Sequence, residues 1–202
     1  MFGGVFNPPH IGHMVCAQEA YVALELDLVV FVPVSQAPHR EIDDDPGARA
    51  RLRMCELAIG GDDRFELSEV ELERTGPSYT ADTLRELARR RPGDDLFLIL
   101  GGDEAASLAT AWREPEEVLR LATVAAAERE DRRRDEIAAA VSSLEGGDRL
   151  AFFAMPRIDI SATLVRRRAA AGLPIRYLVP DHVADFIGAK SLYGASAAVG
   201  AS

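Results

Sequence analysis

Two histidines three residues apart, His10 and His13, stand in the string GGVFNPPHIGHMV at residues 3–15. On the first turn of a helix, residues at that spacing face the same side, where imidazoles can hydrogen-bond an anion near neutral pH. Pro8 and Pro9 fix their own φ and push the residue before each out of helical geometry, so a turn ends here and a helix starts near His10. A glycine-rich turn feeding a helix presents main-chain N–H groups and the positive end of the helix dipole, which favours phosphate. The main chain of Gly3, Gly4, Val5 and Phe6 is therefore a candidate phosphate cradle, and Gly12 leaves room between the imidazoles for a nucleotide.

A second anion candidate is IDISATLVRRR, residues 158–168. Ser161 and Thr163 stand where a helix opens, and Arg166 lies one turn beyond Thr163 on the same side. Alone, this stretch reads as well as an N-cap ahead of a solvated basic helix, and a single histidine reads as a surface residue or cap. Two phosphate-type helix starts in one chain suit a triphosphate. Cys16 extends the first string to H-x-x-H-x-x-C, but no further His or Cys cluster completes a tetrahedral set, so no metal site is expected.

The elements that must position these groups follow from periodicity. Helical spacing over residues 12–26 leads into the apolar run Leu28–Val34. A helix from Pro46 to about Gly60 precedes strand-like pieces at Arg64–Leu67 and Glu69–Arg74. Ser78 can cap a helix through about Arg90, and Leu96–Leu100 is a strand. A helix at Pro115–Leu121, a strand at Thr123–Ala127, a charged helix from about Arg132 to Leu144 and a strand at Leu150–Phe153 follow, then helices near 161–171 and 181–188. Strands apolar on both faces, alternating with amphipathic helices, predict an α/β class. The expected architecture is a Rossmann-like doubly wound parallel sheet with helices on both faces and a small C-terminal helical part. Residues 1–193 are expected to form one domain, and 194–202 a disordered tail of small residues. Such sheets bind ligands beyond the carboxyl ends of their strands, which is where Gly3–Gly4 and Gly101–Gly102–Asp103 fall.

Composition narrows the class. At 202 residues and 48% hydrophobic the chain can bury its own core. A net charge of −10 argues against a nucleic-acid binder with a broad basic face. No run approaches the roughly 20 apolar residues of a membrane span and no basic-then-apolar leader opens the chain, so a cytoplasmic protein without membrane contact is expected. Cys16 and Cys55 are too few for a disulfide framework and read as reduced and buried. Lys190 is the one lysine, so anions must be met by arginine. The runs Asp43–Asp45 and Arg89–Arg91 read as solvated faces, Arg40 in APHR as a loop arginine able to reach over the site, and Trp112 as core or as a stacking platform. A homo-oligomer is allowed but not readable.

The string GGVFNPPHIGH resembles the (T/H)xGH motif of the nucleotidyltransferase superfamily, in the form carried by bacterial nicotinate mononucleotide adenylyltransferases. The likeness continues in order along almost the whole chain through APHR, PSYTADTL, LGGD with a downstream Trp, ISATLVR and Leu192–Tyr193. Three positions depart from the family pattern: Arg40 replaces its usual lysine, Asn7 its usual aspartate, and Arg129–Glu130–Asp131 its late Arg-Pro-Gly. The resemblance implies transfer of AMP from ATP, with Mg²⁺, to nicotinate mononucleotide, giving deamido-NAD and pyrophosphate. It implies phosphate contacts from His10, His13, Arg166, Ser161, Thr163 and Arg40. It also implies pyridine-nucleotide contacts from Thr80, Gly101, Asp103 and Trp112. The rival readings are adenylyl transfer to nicotinamide mononucleotide or to another phosphate such as phosphopantetheine, and a non-catalytic nucleotide-binding module.

Overall fold

Five consecutive buried residues, Val29–Pro33 in VVFVP, leave this strand no solvent face, so it must lie inside a sheet covered on both sides. The computed structural model describes residues 1–38, 41–128 and 134–195. Six strands are present among them: β1 (Phe2–Gly4), β2 (Val29–Pro33), β3 (Phe65–Leu67), β4 (Phe97–Gly101), β5 (Thr123–Glu128) and β6 (Leu150–Ala154). All pair in parallel, in the order β3-β2-β1-β4-β5-β6. This is the doubly wound order with its switch point between β1 and β4, where successive connections leave to opposite sides and open a crevice at the carboxyl edge.

The helices are α1 (Ile11–Ala23), α2 (Ala48–Ile59), α3 (Thr80–Arg90), α4 (Gly102–Ala106), α5 (Leu108–Ala111), α6 (Pro115–Leu121), α7 (Arg134–Ser142), α8 (Ala162–Ala170) and α9 (Asp181–Ala189). Successive strand residues point to opposite faces and sort into two cores. Val30, Val32, Leu98, Leu100, Val124 and Ala126 pack with apolar residues of α3, α6 and α7. Val29, Phe31, Ile99, Ala125 and Ala127 pack with Cys16, Ala17 and Ala20 of α1 and Cys55 and Ile59 of α2. A third cluster joins Met54 of α2 to Val165 of α8 and Val183 and Ile187 of α9, forming the C-terminal helical part. No described helix is long and apolar enough to cross a membrane. Both cysteines are free and buried, and burial pushes the Cys55 thiol up.

Several local expectations are corrected. Glu69–Arg74 is not a strand: the N–H groups of Leu72 and Glu73 both donate to the Glu69 carbonyl in a turn. Its apparent alternation fails because neighbouring Val70 and Glu71 are both buried, Glu71 receiving the Thr83 hydroxyl at 2.8 Å. Tyr79, not Ser78, is the N-cap of α3, and the Ser78 N–H instead donates to Gln36 O. The Arg89–Arg91 run does lie at the surface, as expected, where it pairs with acidic side chains: Arg89 and Arg90 with Glu86, Arg90 also with Glu73, and Arg91 with Glu66. Arg89 and Arg90 hold the Glu86 carboxyl down at about 2. Arg40, Arg129–Asp131 and the tail residues 196–202 lie outside the described residues.

β1 has three residues and meets β4 through the single pair Phe2↔Ile99. Ile99 is fully buried and its N–H donates to Met1 O. Ile99→Ala should therefore destabilise by about 2–5 kcal/mol, measured by urea unfolding, because the cavity opens beside the sheet's narrowest seam.

Candidate active site

His10 is the N-cap of α1, in extended backbone, and is buried; His13 is half-buried one turn on. The His10 N–H donates to His13 Nδ1 at 3.1 Å. A ring nitrogen that accepts carries no proton, so the neutral His13 ring carries its proton on Nε2, which is left as the donor. The two imidazoles lie 3.7 Å apart between ring centres, tilted by 33°. Phe6 packs edge-on to His13 at 5.1 Å and to Phe2 at 5.6 Å, fixing the wall behind the second imidazole.

The glycines of this turn are spacers for those rings. A Cβ on Gly4 would sit 3.1 Å from the Phe6 ring, and one on Gly12 3.1 Å from the His10 ring. The expectation that Gly12 opens room for a nucleotide is thus refined: the space it leaves is taken up by His10. Not every N–H of the helix start is available to an anion either, because that of Ile11 donates to Leu178 O at 3.0 Å.

The second helix start lies against the first. Ser161 caps α8, its hydroxyl accepting from Leu164 N at 3.2 Å, with exposed Thr163 in the first turn. Arg166 is buried, and its Nη1 donates to the Asn7 main-chain carbonyl at 3.0 Å. A Cβ on Gly12 would also come within 3.7 Å of Ile158, just ahead of the cap. His10, His13, Ser161, Thr163 and Arg166 are therefore carried by adjoining segments at the carboxyl edge, beside the switch point.

Three residues outside the sequence-derived site organise it. Asn7, in a cis peptide with Pro8, is buried; its Nδ2 donates to Asp43 O at 2.8 Å and its Oδ1 accepts from the Tyr193 hydroxyl at 2.7 Å. Burial pushes the Tyr193 phenol up, keeping it a donor. Arg51 of α2 is fully buried, with Nε on Asp45, Nη1 on Val5 O and Val34 O, and Nη2 on Ser35 O. One guanidinium thus ties together the chain leaving β1, the chain leaving β2 and the loop ahead of α2. The Asp43–Asp45 run is exposed, as expected of a solvated face, and also supplies the Asp43 carbonyl and the Asp45 carboxylate to this network. Arg51 had a readable signal: it shares the helical phase of Met54, Cys55 and Ile59, the buried face of α2.

Of the pyridine-side candidates, two share a cleft. Gly101 ends β4 and Asp103 lies in α4; both line a cleft of about 460 Å³ with Glu104, Arg134, Arg157 and Asp159. A Cβ on Gly101 would meet the Glu104 carboxylate at 2.5 Å, so only glycine fits beneath it as the side chains stand. Thr80 opens α3, and half-buried Trp112 follows α5, its indole N–H on Ser107 Oγ at 3.2 Å while its ring packs against the core. The two are linked by Arg113, whose guanidinium lies 4.5 Å from the centre of the Tyr79 ring. A larger hollow of about 570 Å³ at the β3 edge, lined by Glu66, Glu73, Arg90 and Arg91, contains none of the candidate residues, and its charges are paired with one another. Among the described residues no group of three or more His, Cys, Asp or Glu side chains is arranged to hold a metal ion.

Comparisons with known proteins agree on the family. The cytidylyltransferase-like family model matches residues 1–168. A "Probable nicotinate-nucleotide adenylyltransferase" of Geobacillus thermodenitrificans is 38% identical over 199 residues, 98% of this chain and 87% of that protein. One of Herpetosiphon aurantiacus is 40% identical over 193 residues, 96% of each chain. Among solved structures, Plasmodium falciparum nicotinic acid mononucleotide adenylyltransferase complexed with NaAD superposes with a TM-score of 0.74 over 97% of both chains, and the same enzyme complexed with APC with 0.75 over 97% of this chain and 96% of that one. At 18% and 16% identity these two speak for the fold.

Arg51→Met should take the guanidinium from the carbonyls of Val5, Val34 and Ser35 and leave the Asp45 carboxylate without its counter-charge. The expected loss is about 3–5 kcal/mol by chemical denaturation, with Arg51→Lys recovering only part because one ammonium cannot span the fork.

Proposed function

This chain belongs to the cytidylyltransferase-like family, and we propose that within it the chain acts as a nicotinate-nucleotide adenylyltransferase, transferring AMP from ATP to nicotinate mononucleotide. The products are deamido-NAD and pyrophosphate, a step of NAD biosynthesis. The observation that carries the reading is the Arg166–Asn7 bond, which holds the Ser161–Arg166 helix start against the turn bearing both histidines. One phosphate chain can then be gripped from two helix N-termini.

The acceptor's phosphate oxygen attacks the α-phosphorus of ATP, and the bond from that phosphorus to the bridging oxygen of the β-phosphate breaks, so no nucleophile from the protein is needed. What remains for the protein is to align two polyanions and to stabilise charge on the leaving pyrophosphate. We assign His13 Nε2–H and the His10 ring to phosphate oxygens of ATP, with the main chain of Gly3, Gly4, Val5 and Phe6 alongside. Ser161, Thr163 and Arg166 take the β- and γ-phosphates. Arg40 is assigned to close over phosphate.

For the acceptor, Thr80 and Trp112 would hold the pyridine end and Gly101 and Asp103 its ribose; the contact of Arg113 with the Tyr79 ring supports Thr80 and Trp112 acting together. A divalent ion, which we take as Mg²⁺, enters with ATP. Bound with the nucleotide, it would supply neutralisation of charge between the two polyanions. The reaction's small, soluble substrates fit a cytoplasmic site of action.

Pyrophosphate release in Mg-ATP with nicotinate or nicotinamide mononucleotide tests the reading. Release with the nicotinate substrate well above that with the amide is expected; the reverse preference would move the substrate assignment, and no release with either would end the enzymatic reading. His13→Ala and Arg166→Ala should each lower kcat by about one to two orders of magnitude, from loss of a charge-assisted hydrogen bond of about 1.5–3 kcal/mol.

A further inference from the structure

Arg166 does not face solvent alone. Its Nε donates to the Asp44 carboxylate at 3.1 Å while Nη1 holds Asn7 O, so an acid of the protein already sits on the guanidinium assigned above to polyphosphate. The two partners are held very differently: the Arg166 side chain is 10% exposed and the Asp44 side chain 67%. The loop around Asp44 is anchored on both sides, by Asn7 Nδ2 on Asp43 O and by Arg51 Nε and the Gly47 N–H on Asp45 Oδ1. Asp44 itself takes a left-handed backbone, φ 49°, a conformation aspartate tolerates better than most residues. The loop therefore presents this one carboxylate to Arg166 while leaving its side chain free to turn into water.

We infer that Asp44 is a placeholder anion: it keeps Arg166 oriented while the site is empty and releases the guanidinium when a polyphosphate arrives. The inference rests on the assignment of Arg166 to the leaving phosphates. A phosphate oxygen on the same fork comes within a few ångströms of the carboxylate, and the two like charges repel. Arg166, buried and tied to Asn7, cannot retreat. Asp44 can, because its side chain is largely in water, and the arriving phosphate takes over the pairing of the buried guanidinium. Asp44 is thus a positioning residue acting through Arg166, and its cost falls on affinity for ATP and pyrophosphate.

The test is binding of magnesium pyrophosphate by calorimetry, with steady-state kinetics in ATP, on the full chain. Asp44→Asn, which keeps the shape and removes the charge, should tighten pyrophosphate binding and lower the KM for ATP by roughly two- to fivefold. The change falls on KM rather than kcat, and Asp44→Glu restores the original values. In an Arg166→Ala background, Asp44→Asn should have no further effect. Weaker or unchanged pyrophosphate binding in Asp44→Asn would overturn the inference, as would tightening that persists without Arg166, since that would be a general charge effect. Undiminished pyrophosphate binding by Arg166→Ala alone would instead remove the assignment of Arg166 and the inference with it.

Discussion

The site depends on one hydrogen bond between residues 159 positions apart, from the guanidinium of Arg166 to the main-chain carbonyl of Asn7. A helix start can hold a phosphate; two can hold a phosphate chain only if their separation is set. Asn7 sets it because both ends of its amide and its carbonyl are engaged, with Nδ2 on the acidic loop, Oδ1 under the Tyr193 hydroxyl and the carbonyl on Arg166. A buried amide satisfied on all sides costs little, and it orients what it touches. The Asn7 amide can donate to the Asp43 carbonyl, which a carboxylate could not do.

Beneath this junction the sheet supplies the crevice and Arg51 supplies stiffness. The switch of strand order between β1 and β4 leaves β1 joined to β4 by one residue pair but to β2 by three. That loose seam needs support, and Arg51 bridges Val5, Val34 and Ser35 at the carboxyl ends of β1 and β2 while taking Asp45 as its counter-charge. The burial of this cation is tolerated because the carbonyls and the carboxylate occupy its donors. The same loop that neutralises Arg51 through Asp45 reaches Arg166 through Asp44, so these two cations share one acidic segment.

What the sequence disclosed follows from which forces are local. Strands β2, β4 and β5 were legible because residues such as Val29–Val32 and Leu98–Leu100 must be buried on both faces, and the α/β class followed. The helix starts at His10 and Ser161 were legible from Pro8–Pro9 and from the capping hydroxyl. Glu69–Arg74 misled because its acidic and apolar residues alternate as E-V-E-L-E-R, whereas the turn buries adjacent Val70 and Glu71. The tertiary charge pairs were hidden: the acids of Asp43–Asp45 are exposed, as such a run reads, but nothing near them in the chain announces Asn7, Arg51 or Arg166 as partners. Arg51 was the exception that helical phase could have exposed.

All of this requires that a single triphosphate be held between the two helix starts. A crystal structure with a non-hydrolysable ATP analogue and Mg²⁺ would show whether it is. Phosphate oxygens are expected within hydrogen-bonding distance of both His13 Nε2 and the Arg166 guanidinium. A triphosphate lying wholly in the cleft beside Gly101 and Asp103, with neither residue touching it, would refute the shared grip.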